Sequence, residues 1–463
     1  MNPVLIGIGL YVLAQLGIGA YVARRIRTEA DYLVAGRSLG YGLSIFTIFA
    51  TWFGAETCIG AAGSIYVEGL AGGTADPFGY GLCILLMGAV FAVPLWRRKL
   101  TTLADFFRQR YTAGVERLAV VLMVPTSLLW AAAQVRAFGQ VLAAASGLEI
   151  TLTITLAALV VVAYTVFGGL LADAWTDLVQ GIALMTGLVV LFVMVWRDTG
   201  FEALAAVDPA RLRLFGGPET PWLAVVEGWA IPVCGSVLAA ELVARVIAAR
   251  SPRVARRSAF IAGGLYLTVG LIPVTMGLLG TTLLPDLEHP DQLLTLLAGR
   301  YLPVALYTLF AGALVSAILS TVDSALLVAS SLVSHNLVVP LWPDLSERGK
   351  VRLARGGVVA FGLVAYVMAL HADGVYALVE EASAFGSAGL FVVIVTGLFT
   401  RIGGAWSALA ALVTGVVVWI GGAYVVEAPY PYVTSLAAAL LAYLSTAAVE
   451  HRLRPVPVVS QRA

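Results

Sequence analysis

The sequence predicts an all-α membrane protein with about thirteen transmembrane helices, and two observations predict it. The first is composition: 60% of the 463 residues are hydrophobic, only 12% are charged, and the mean hydropathy is +0.93. The second is the recurrence along the whole chain of apolar runs of about 20 residues, the length that crosses a hydrocarbon core of about 30 Å. These runs leave no room for a soluble domain, so the composition excludes a soluble enzyme.

The chain is predicted to be a single transmembrane domain over residues 1–463, because no linker and no change of composition divides it. Its first apolar run, at residues 3–24, is followed rather than preceded by the basic residues Arg25 and Arg27. A secretory signal peptide carries its basic residues in front of the apolar stretch. We therefore expect this run to persist as an extra first helix.

The distribution of basic residues predicts the orientation of the helices. Most of the 28 Lys and Arg residues, Arg245 among them, are assigned to alternate loops, and cytoplasmic loops are the ones enriched in these residues. The pattern predicts an N-terminus outside and a C-terminus in the cytoplasm, in the inner or plasma membrane of a cell. The chain has no Asn-X-Ser/Thr sequon, which is compatible with a bacterial membrane.

Charge and cysteine usage indicate the expected partners. A net charge of +1 without a basic stripe argues against nucleic acid. Cys58, Cys83 and Cys234 all fall inside apolar runs, where we expect them to fill space rather than form disulfides. The expected partners are therefore the lipid bilayer, a small-molecule substrate and ions, with no organic cofactor and no obligate protein partner.

Two of the predicted helices carry signs of interruption at the middle of the membrane. In the second helix, residues 49–56 (Phe-Ala-Thr-Trp-Phe-Gly-Ala-Glu) combine small, polar and acidic residues that a lipid-facing helix tolerates poorly. Five helices later, residues 232–236 (Pro-Val-Cys-Gly-Ser), followed by Glu241, have the same character. Transporters built from inverted repeats place substrate and ions at such breaks. The alternative is that the Gly and Ser residues only permit close helix packing.

Three segments carry a resemblance to a known family. They are residues 31–40 (Asp-Tyr-Leu-Val-Ala-Gly-Arg-Ser-Leu-Gly), residues 164–169 with the Trp-Thr-Asp of residues 175–177, and residues 316–325 (Ser-Ala-Ile-Leu-Ser-Thr-Val-Asp-Ser-Ala). In order and spacing these segments closely resemble the sodium:solute symporter family, and the resemblance covers essentially the whole chain.

The resemblance implies a particular fold. It implies a LeuT-type core of two inverted five-helix repeats, the first at about residues 41–196 and the second at about residues 222–400. The extra first helix would precede this core. Two further helices, at about residues 404–450, would follow it.

The main ion site is predicted where the second and ninth helices meet. A sodium ion is a hard cation that prefers about five or six oxygen ligands, which hydroxyl groups and the carbonyl groups of a broken helix can supply. The resemblance implies a sodium site formed by the carbonyls of Ala50, Phe53 and Ala317 and the hydroxyls of Ser320 and Thr321. The alternative is that these hydroxyls bond back to the preceding turn of their own helix.

A second sodium site is predicted beside the first. Asp177 and Asp323 lie in or near the membrane, where an unpaired carboxylate costs about 2.5–3.5 kcal/mol. In some members of the resembled family an aspartate at the position of Asp177 binds sodium, which implies a site formed by Asp177, Ser320, Asp323 and Ser324. The alternative is that these side chains form structural hydrogen bonds.

The predicted substrate site depends on a closer resemblance within the family. Residues 50–54, 66–67, 79–80 and 130–133 are similar to the high-affinity choline transporters. Aromatic faces attract a quaternary ammonium group, which has no N–H to donate. Because Ala239 and Val379 stand where the resemblance leads us to expect tryptophan, the resemblance does not assign choline itself. The substrate-binding residues implied are Trp52, Tyr80, Trp130, Ala239, Glu241 and Val379.

These features predict sodium-coupled secondary active symport of a small organic solute by alternating access. Charged residues in or near the membrane, among them Arg136, Glu241 and Glu381, favour a cationic or zwitterionic amine, betaine or amino acid over a neutral sugar. The alternatives are proton coupling through a buried aspartate, and a passive facilitator or channel of the same fold. An enzyme is not predicted, because no nucleophile–base pair or metal cluster is evident.

Overall fold

The protein is helical throughout the described part of the chain. The computed structural model describes residues 3–372 and 375–453, so residues 1–2, 373–374 and 454–463 of the predicted domain, with the predicted cytoplasmic C-terminus, lie outside the described residues. The α-helices, in chain order, are α1 (Pro3–Ala23), α2 (Glu29–Val34), α3 (Tyr41–Trp52), α4 (Ala62–Glu68), α5 (Tyr80–Leu86), α6 (Ala92–Arg97), α7 (Ala104–Arg110), α8 (Ala113–Ser146), α9 (Ile150–Ala205), α10 (Trp222–Ala230), α11 (Ala240–Ala248), α12 (Pro252–Leu283), α13 (Leu293–Tyr301), α14 (Val304–Val333), α15 (Glu347–His371), α16 (Val375–Ala384), α17 (Ser387–Phe399), α18 (Ala405–Ile420) and α19 (Pro431–Leu453).

Within the described residues, nine helical stretches are long and apolar enough to cross a membrane. One further pair, Trp222–Gly235 and Ala240–Ala248, bends by 43° and can form a single broken span. Three shorter apolar helices accompany them, at Val12–Val22, Tyr41–Trp52 and Ile150–Ala163. The all-α membrane architecture is therefore confirmed. The total of about thirteen spans and the residue limits of the repeats stay predictions.

The first predicted interruption lies at the end of α3. The helix ends at Trp52 because Phe53 leaves the helical region, with φ −91° and ψ 71°, and a π-helical segment, Glu56–Ala61, then leads into α4. Gly54 stands at the break, and a β-carbon there would lie only 2.7 Å from Oγ1 of Thr321. The missing side chain of Gly54 thus lets the broken helix approach α14.

The second predicted interruption separates α10 from α11. A π-helical segment, Ile231–Gly235, follows α10, and Ala239 has non-helical angles (φ −57°, ψ 137°) before α11 begins. A β-carbon at Gly235 would overlap the carbonyl oxygen of Ser383 on α16. The break therefore packs closely against α16, with the start of α11 and its Glu241 immediately after it.

Helix α14 lies at the centre of the bundle. Every residue from Phe310 to Leu332 is buried, and the helix packs against α1, α3, α8, α9 and α15. A helix that is apolar on nearly all sides suits such a central position. The few polar side chains of this segment, including Ser320, Thr321 and Asp323, are therefore shielded from lipid by neighbouring helices.

A polar network ties together one end of the bundle. Nδ2 of Asn336 donates hydrogen bonds of 2.8 Å to Oδ1 of Asp105 and to Oε1 of Glu116. Nδ1 of His335 lies 3.0 Å from Oε1 of Glu29 on α2. These residues come from segments far apart in the chain, and the distribution of basic residues predicts that all of these segments lie at the cytoplasmic side.

Candidate ion and substrate sites

Three of the five residues predicted to bind the main sodium ion lie in contact. Oγ1 of Thr321 lies 3.5 Å from the carbonyl oxygen of Ala50 and 3.3 Å from that of Ala317. The second contact is the bond to the preceding turn that a threonine in any helix can make. The first contact crosses from α14 to the broken helix α3. Thr321 therefore joins the two helices that carry the predicted ligands.

The other two predicted ligands, Phe53 and Ser320, have different surroundings. Phe53 is the non-helical residue at which α3 breaks. The hydroxyl of Ser320 donates a hydrogen bond to Oδ1 of Asp177 on α9, and Oγ1 of Thr47 donates to Oδ2 of the same carboxylate at 2.5 Å. Ser320 thus contacts the aspartate of the predicted second site.

The four residues predicted for the second sodium site fall into two groups. Asp177 and Ser320 are hydrogen bonded to each other. Ser324, one turn further along α14, instead donates to Oδ2 of Asp173 at 3.2 Å. Asp323 lies between Ser320 and Ser324 in the sequence, and its side chain is buried. The structure therefore directs Ser324 toward an aspartate that the sequence analysis did not single out.

A buried ion pair lies beside Ser324. Nη2 of Arg245, on α11, donates to Oδ2 of Asp173 and to Oγ of Ser324, and both charged side chains are fully buried. The prediction that Arg245 lies in a loop is therefore wrong, because α11 carries it into the bundle. One sequence signal could have pointed to Asp173. It precedes Asp177 by one helical turn, so both carboxylates lie on one face of α9.

Three aromatic side chains predicted to surround the substrate are neighbours. The ring centroid of Trp52 lies 5.2 Å from that of Tyr80 and 5.6 Å from that of Trp130. The centroids of Tyr80 and Trp130 are 6.1 Å apart. These are the separations and tilted geometries at which aromatic rings attract one another. One ring each from α3, α5 and α8 therefore forms a single aromatic cluster.

Glu241 faces a cavity beside this aromatic cluster. Oγ of Ser127, on α8, donates a hydrogen bond of 2.5 Å to Oε1 of Glu241, whose exposed fraction is 8%. A carboxylate with so little access to solvent is stabilised by a positive charge close to it. The residues that line this cavity are Thr51, Trp52, Trp130, Ala239, Glu241, Thr321 and Ala325.

A second cavity adjoins the first and shares Trp130, Ala239 and Glu241 with it. It adds polar side chains from the second helix break and from α16, among them Ser236 and Ser383. Hydroxyl groups in this position can hydrogen bond the polar part of a solute whose charged part lies at Glu241. The two cavities together have a mixed aromatic, acidic and hydroxyl lining.

Val379, the remaining predicted substrate residue, is buried and lines neither of these two cavities. Its carbonyl oxygen accepts a hydrogen bond of 3.0 Å from Ser383, one turn further along α16. Ser383 lines the second cavity, and its Oγ lies 2.9 Å from the hydroxyl oxygen of Tyr80. Helix α16 therefore presents Ser383 to the cavity, a residue that the sequence analysis did not name.

Two other charged residues considered for the substrate are engaged elsewhere. Nη1 of Arg136 donates to the carbonyl oxygen of Ala369 at 2.9 Å. Oε1 of Glu381 accepts a hydrogen bond from the hydroxyl of Tyr424. Neither residue lines the two cavities that contain Glu241.

Two further buried carboxylates lie near the break in α3. Nε2 of Gln134, on α8, donates a hydrogen bond of 2.7 Å to Oε2 of Glu56. Asp76 accepts hydrogen bonds from Thr57 at 2.7 Å and from Tyr266 at 2.9 Å. The sequence analysis placed Glu56 at the break but missed Gln134 and Asp76. Their signal was the presence of polar side chains inside apolar runs.

A comparison with protein families decides the class of this transporter-like molecule. The model of the sodium:solute symporter family matches residues 32–415, which is most of the chain. The chain belongs to the sodium:solute symporter family. The resemblance predicted from the three sequence segments is therefore confirmed. This member of the family is a multi-pass membrane transporter of the symporter class and not an enzyme.

Individual relatives include transporters of two solutes. This symporter is 28% identical over 440 residues to the high affinity choline transporter 1 of Homo sapiens. The alignment covers 88% of this chain and 75% of the relative. It is 25% identical over 436 residues to the osmoregulated proline transporter of Bacillus subtilis (strain 168), covering 89% of this chain and 86% of the relative.

Solved structures agree in fold. A Na⁺-coupled sialic acid symporter, in its substrate-bound outward-open state, superposes with a TM-score of 0.85, covering 96% of this symporter and 97% of that chain at 18% identity. A nucleobase-cation-symport-1 family transporter in a closed conformation superposes with a TM-score of 0.64 at 17% identity. The superposition covers 93% of this symporter and 96% of that chain. At these identities the likeness concerns the fold alone, and it supports the predicted LeuT-type architecture.

Proposed function

We propose that this symporter couples the inward movement of sodium to the uptake of a small organic solute that carries a positive charge, as an amine, betaine or amino acid does. The observation that carries the proposal is the position of Glu241, whose carboxylate lines a cavity together with the rings of Trp52 and Trp130. A cation removed from water is stabilised by aromatic faces and by an opposite charge at the same time. A neutral sugar would bring no positive charge to the buried carboxylate of Glu241.

The main sodium ion would bind at the break in α3, to the carbonyls of Ala50, Phe53 and Ala317 and the hydroxyls of Ser320 and Thr321. The contact of Thr321 with the carbonyl oxygens of Ala50 and Ala317 supports this site, because it already gathers oxygen atoms from both helices. A sodium ion would replace the weak hydrogen bonds of the Thr321 hydroxyl with shorter ion–oxygen contacts.

The Asp177 and Ser320 pair would hold a second sodium ion beside the first, with Asp323 and Ser324 completing the site. The hydrogen bond between Asp177 and Ser320 supports the first half of this set. The second half requires Ser324 to exchange its contact with Asp173 and Arg245 for the ion. The hydroxyl group of Ser324 can exchange hydrogen-bond partners by rotation about one bond. It also lies within hydrogen-bond distance of the carbonyl oxygen of Ser320.

Coupling follows from residues that the ion and solute sites share. Thr321 is a proposed sodium ligand and lines the same cavity as Glu241, and Trp52 lies in that cavity one residue before Phe53. Sodium that orders the break would therefore also place Trp52 for the solute. By linkage, sodium raises the affinity for the solute by the same factor by which the solute raises the affinity for sodium.

The proposed orientation has the N-terminus outside and the C-terminus in the cytoplasm of a bacterial cell. The distribution of basic residues supports it, because most Lys and Arg residues are assigned to alternate loops and cytoplasmic loops are enriched in these residues. Labelling of single cysteines introduced at Glu219 and at Arg348 in whole cells tests the orientation. A membrane-impermeant reagent should modify position 219 and spare position 348, and the reverse pattern would overturn it.

The function is tested by the thermal stability of the purified protein in sodium or in potassium, with amines, betaines, amino acids and sugars added in turn. A ligand stabilises the state to which it binds, so the melting temperature should rise with the concentration of a positively charged solute, and only in sodium. A rise of equal size in potassium would favour proton coupling or a passive facilitator. A rise with sugars alone would contradict the proposed solute class.

A further inference from the structure

Three side-chain oxygen atoms converge closely on Gly54. From the point that a β-carbon of Gly54 would occupy, Oγ1 of Thr321 lies 2.7 Å away, Oε2 of Glu56 2.9 Å and Oε1 of Gln134 3.2 Å. The oxygens come from α14, from the segment after the break in α3, and from α8. Only glycine permits this close approach, because a β-carbon would collide with the oxygens of Thr321 and Glu56 and press on that of Gln134.

One oxygen of Glu56 has no partner among the described residues. Glu56 is fully buried, its Oε2 accepts a hydrogen bond from Gln134, and its Oε1 accepts none. No ion pair of the described residues includes Glu56. A buried carboxylate without a compensating cation is among the most costly arrangements in a protein interior.

Protonation of Glu56 would not resolve this cost fully. A neutral carboxyl group has an O–H that needs an acceptor, and no hydrogen bond to Oε1 is found within the described residues. A cation, in contrast, can contact both the carboxylate and the neighbouring neutral oxygens. The carboxylate, amide and hydroxyl oxygens at Gly54 are the hard donors that an alkali-metal ion prefers.

The orientation of Gln134 fits this interpretation. Its amide nitrogen donates to Glu56 at 2.7 Å, and its amide oxygen accepts the backbone N–H of Ala55 at 3.4 Å. These two contacts turn Oε1 of Gln134 toward Gly54 and leave it a second lone pair. The amide is thereby held in a position to act as a neutral oxygen ligand.

We propose that a sodium ion binds beside Gly54, to Glu56, Gln134 and Thr321, and that it is additional to the ion at the main site. This inference rests on the proposed function, since it assumes that the protein binds sodium at all. The two ions would share Thr321, whose hydroxyl oxygen lies 3.5 Å from the carbonyl oxygen of Ala50 and also packs against Gly54. Occupation of one site would therefore fix the Thr321 side chain for the other.

Equilibrium binding of radioactive sodium to the purified full-length protein tests the proposal. Glu56→Gln keeps the size of the side chain and removes its charge, so it should bind one sodium ion fewer per protein at saturation than the wild type. Glu68→Gln is the matched control, because it removes an exposed carboxylate from the same segment and should bind as many ions as the wild type.

A second variant keeps the test valid if Glu56→Gln does not fold. Glu56→Asp retains the charge but withdraws it by one methylene, so the wild-type number of ions should bind with an affinity lowered about tenfold at one site. An unchanged number of ions in Glu56→Gln, or unchanged affinity in Glu56→Asp, would overturn the site beside Gly54 and leave the proposed function intact. A wild-type protein that binds no sodium would overturn both.

Discussion

Oγ of Ser127 lies 2.5 Å from Oε1 of Glu241, although 114 positions separate the two residues in the chain. The contact joins α8 to the start of α11, directly after the second helix break. It engages one oxygen of the carboxylate. The position of this charge in a cavity with aromatic walls leads to the first two predictions.

Glu241→Gln should weaken the binding of a positively charged solute by about tenfold to a hundredfold, because it removes the charge that faces the cavity. Ser127→Ala should have a smaller effect in the same direction, since the carboxylate remains but loses its orienting donor. Solute dissociation constants in saturating sodium measure both effects. Glu381→Gln is the control, as that carboxylate lies outside both cavities, and equal affinities in wild type and Glu241→Gln would contradict the assignment.

Trp130→Leu should lower the affinity for a charged solute by about twofold to thirtyfold, whereas Trp130→Phe should retain most of it. Both replacements reduce the apolar area, but only leucine removes the aromatic face that attracts a cation. The comparison is made with the charged solute and with an uncharged analogue of the same shape. If the uncharged analogue loses as much affinity as the charged solute, the role of Trp130 is apolar packing alone.

Ser320→Ala combined with Thr321→Ala should abolish the sodium dependence of solute uptake, because it removes both hydroxyl ligands of the proposed main site. Uptake into proteoliposomes over a range of sodium concentrations provides the measurement. Ser331→Ala is the matched control: it lies on the same helix, and its hydroxyl bonds only to the preceding turn at Val328 within the described contacts. Sodium dependence that survives in the double variant would exclude this site.

Arg245→Met should destabilise the folded protein by about 3–5 kcal/mol, because it leaves Asp173 charged and unpaired in the core. Asp173→Leu should act similarly by leaving the guanidinium unpaired. The double variant should be much closer to the wild type, since two apolar side chains can replace a buried pair. Melting temperatures in one detergent compare the four proteins, and additive losses would show that the pair does not act as a unit.

Much of the site could be predicted because the relevant signals are local. The small, polar and acidic residues of segment 49–56 mark the first helix break, and the Pro and Gly of residues 232–236 mark the second. The resemblance to the high-affinity choline transporters implied Trp52 and Trp130, and the structure places their ring centroids 5.6 Å apart. Val379 and Ser383 show the limit of this approach, because adjacent turns of one helix can both satisfy a sequence pattern while only one faces the cavity.

The sequence alone was sufficient to predict a membrane protein whose helices are broken at two places and which belongs to a symporter family. These properties follow from apolar length, from glycine and proline, and from short motifs, all of which act over a few neighbouring residues.

The pairing of buried polar groups, in contrast, depends on the three-dimensional packing of the helices. Arg245 reaches Asp173 across 72 positions of the chain, and Gln134 reaches Glu56 across 78. Such pairs depend on how helices are rotated and how closely they pack, which no spacing within one helix determines. In the membrane interior these contacts matter greatly, because a charge that finds no partner there has no water to replace it.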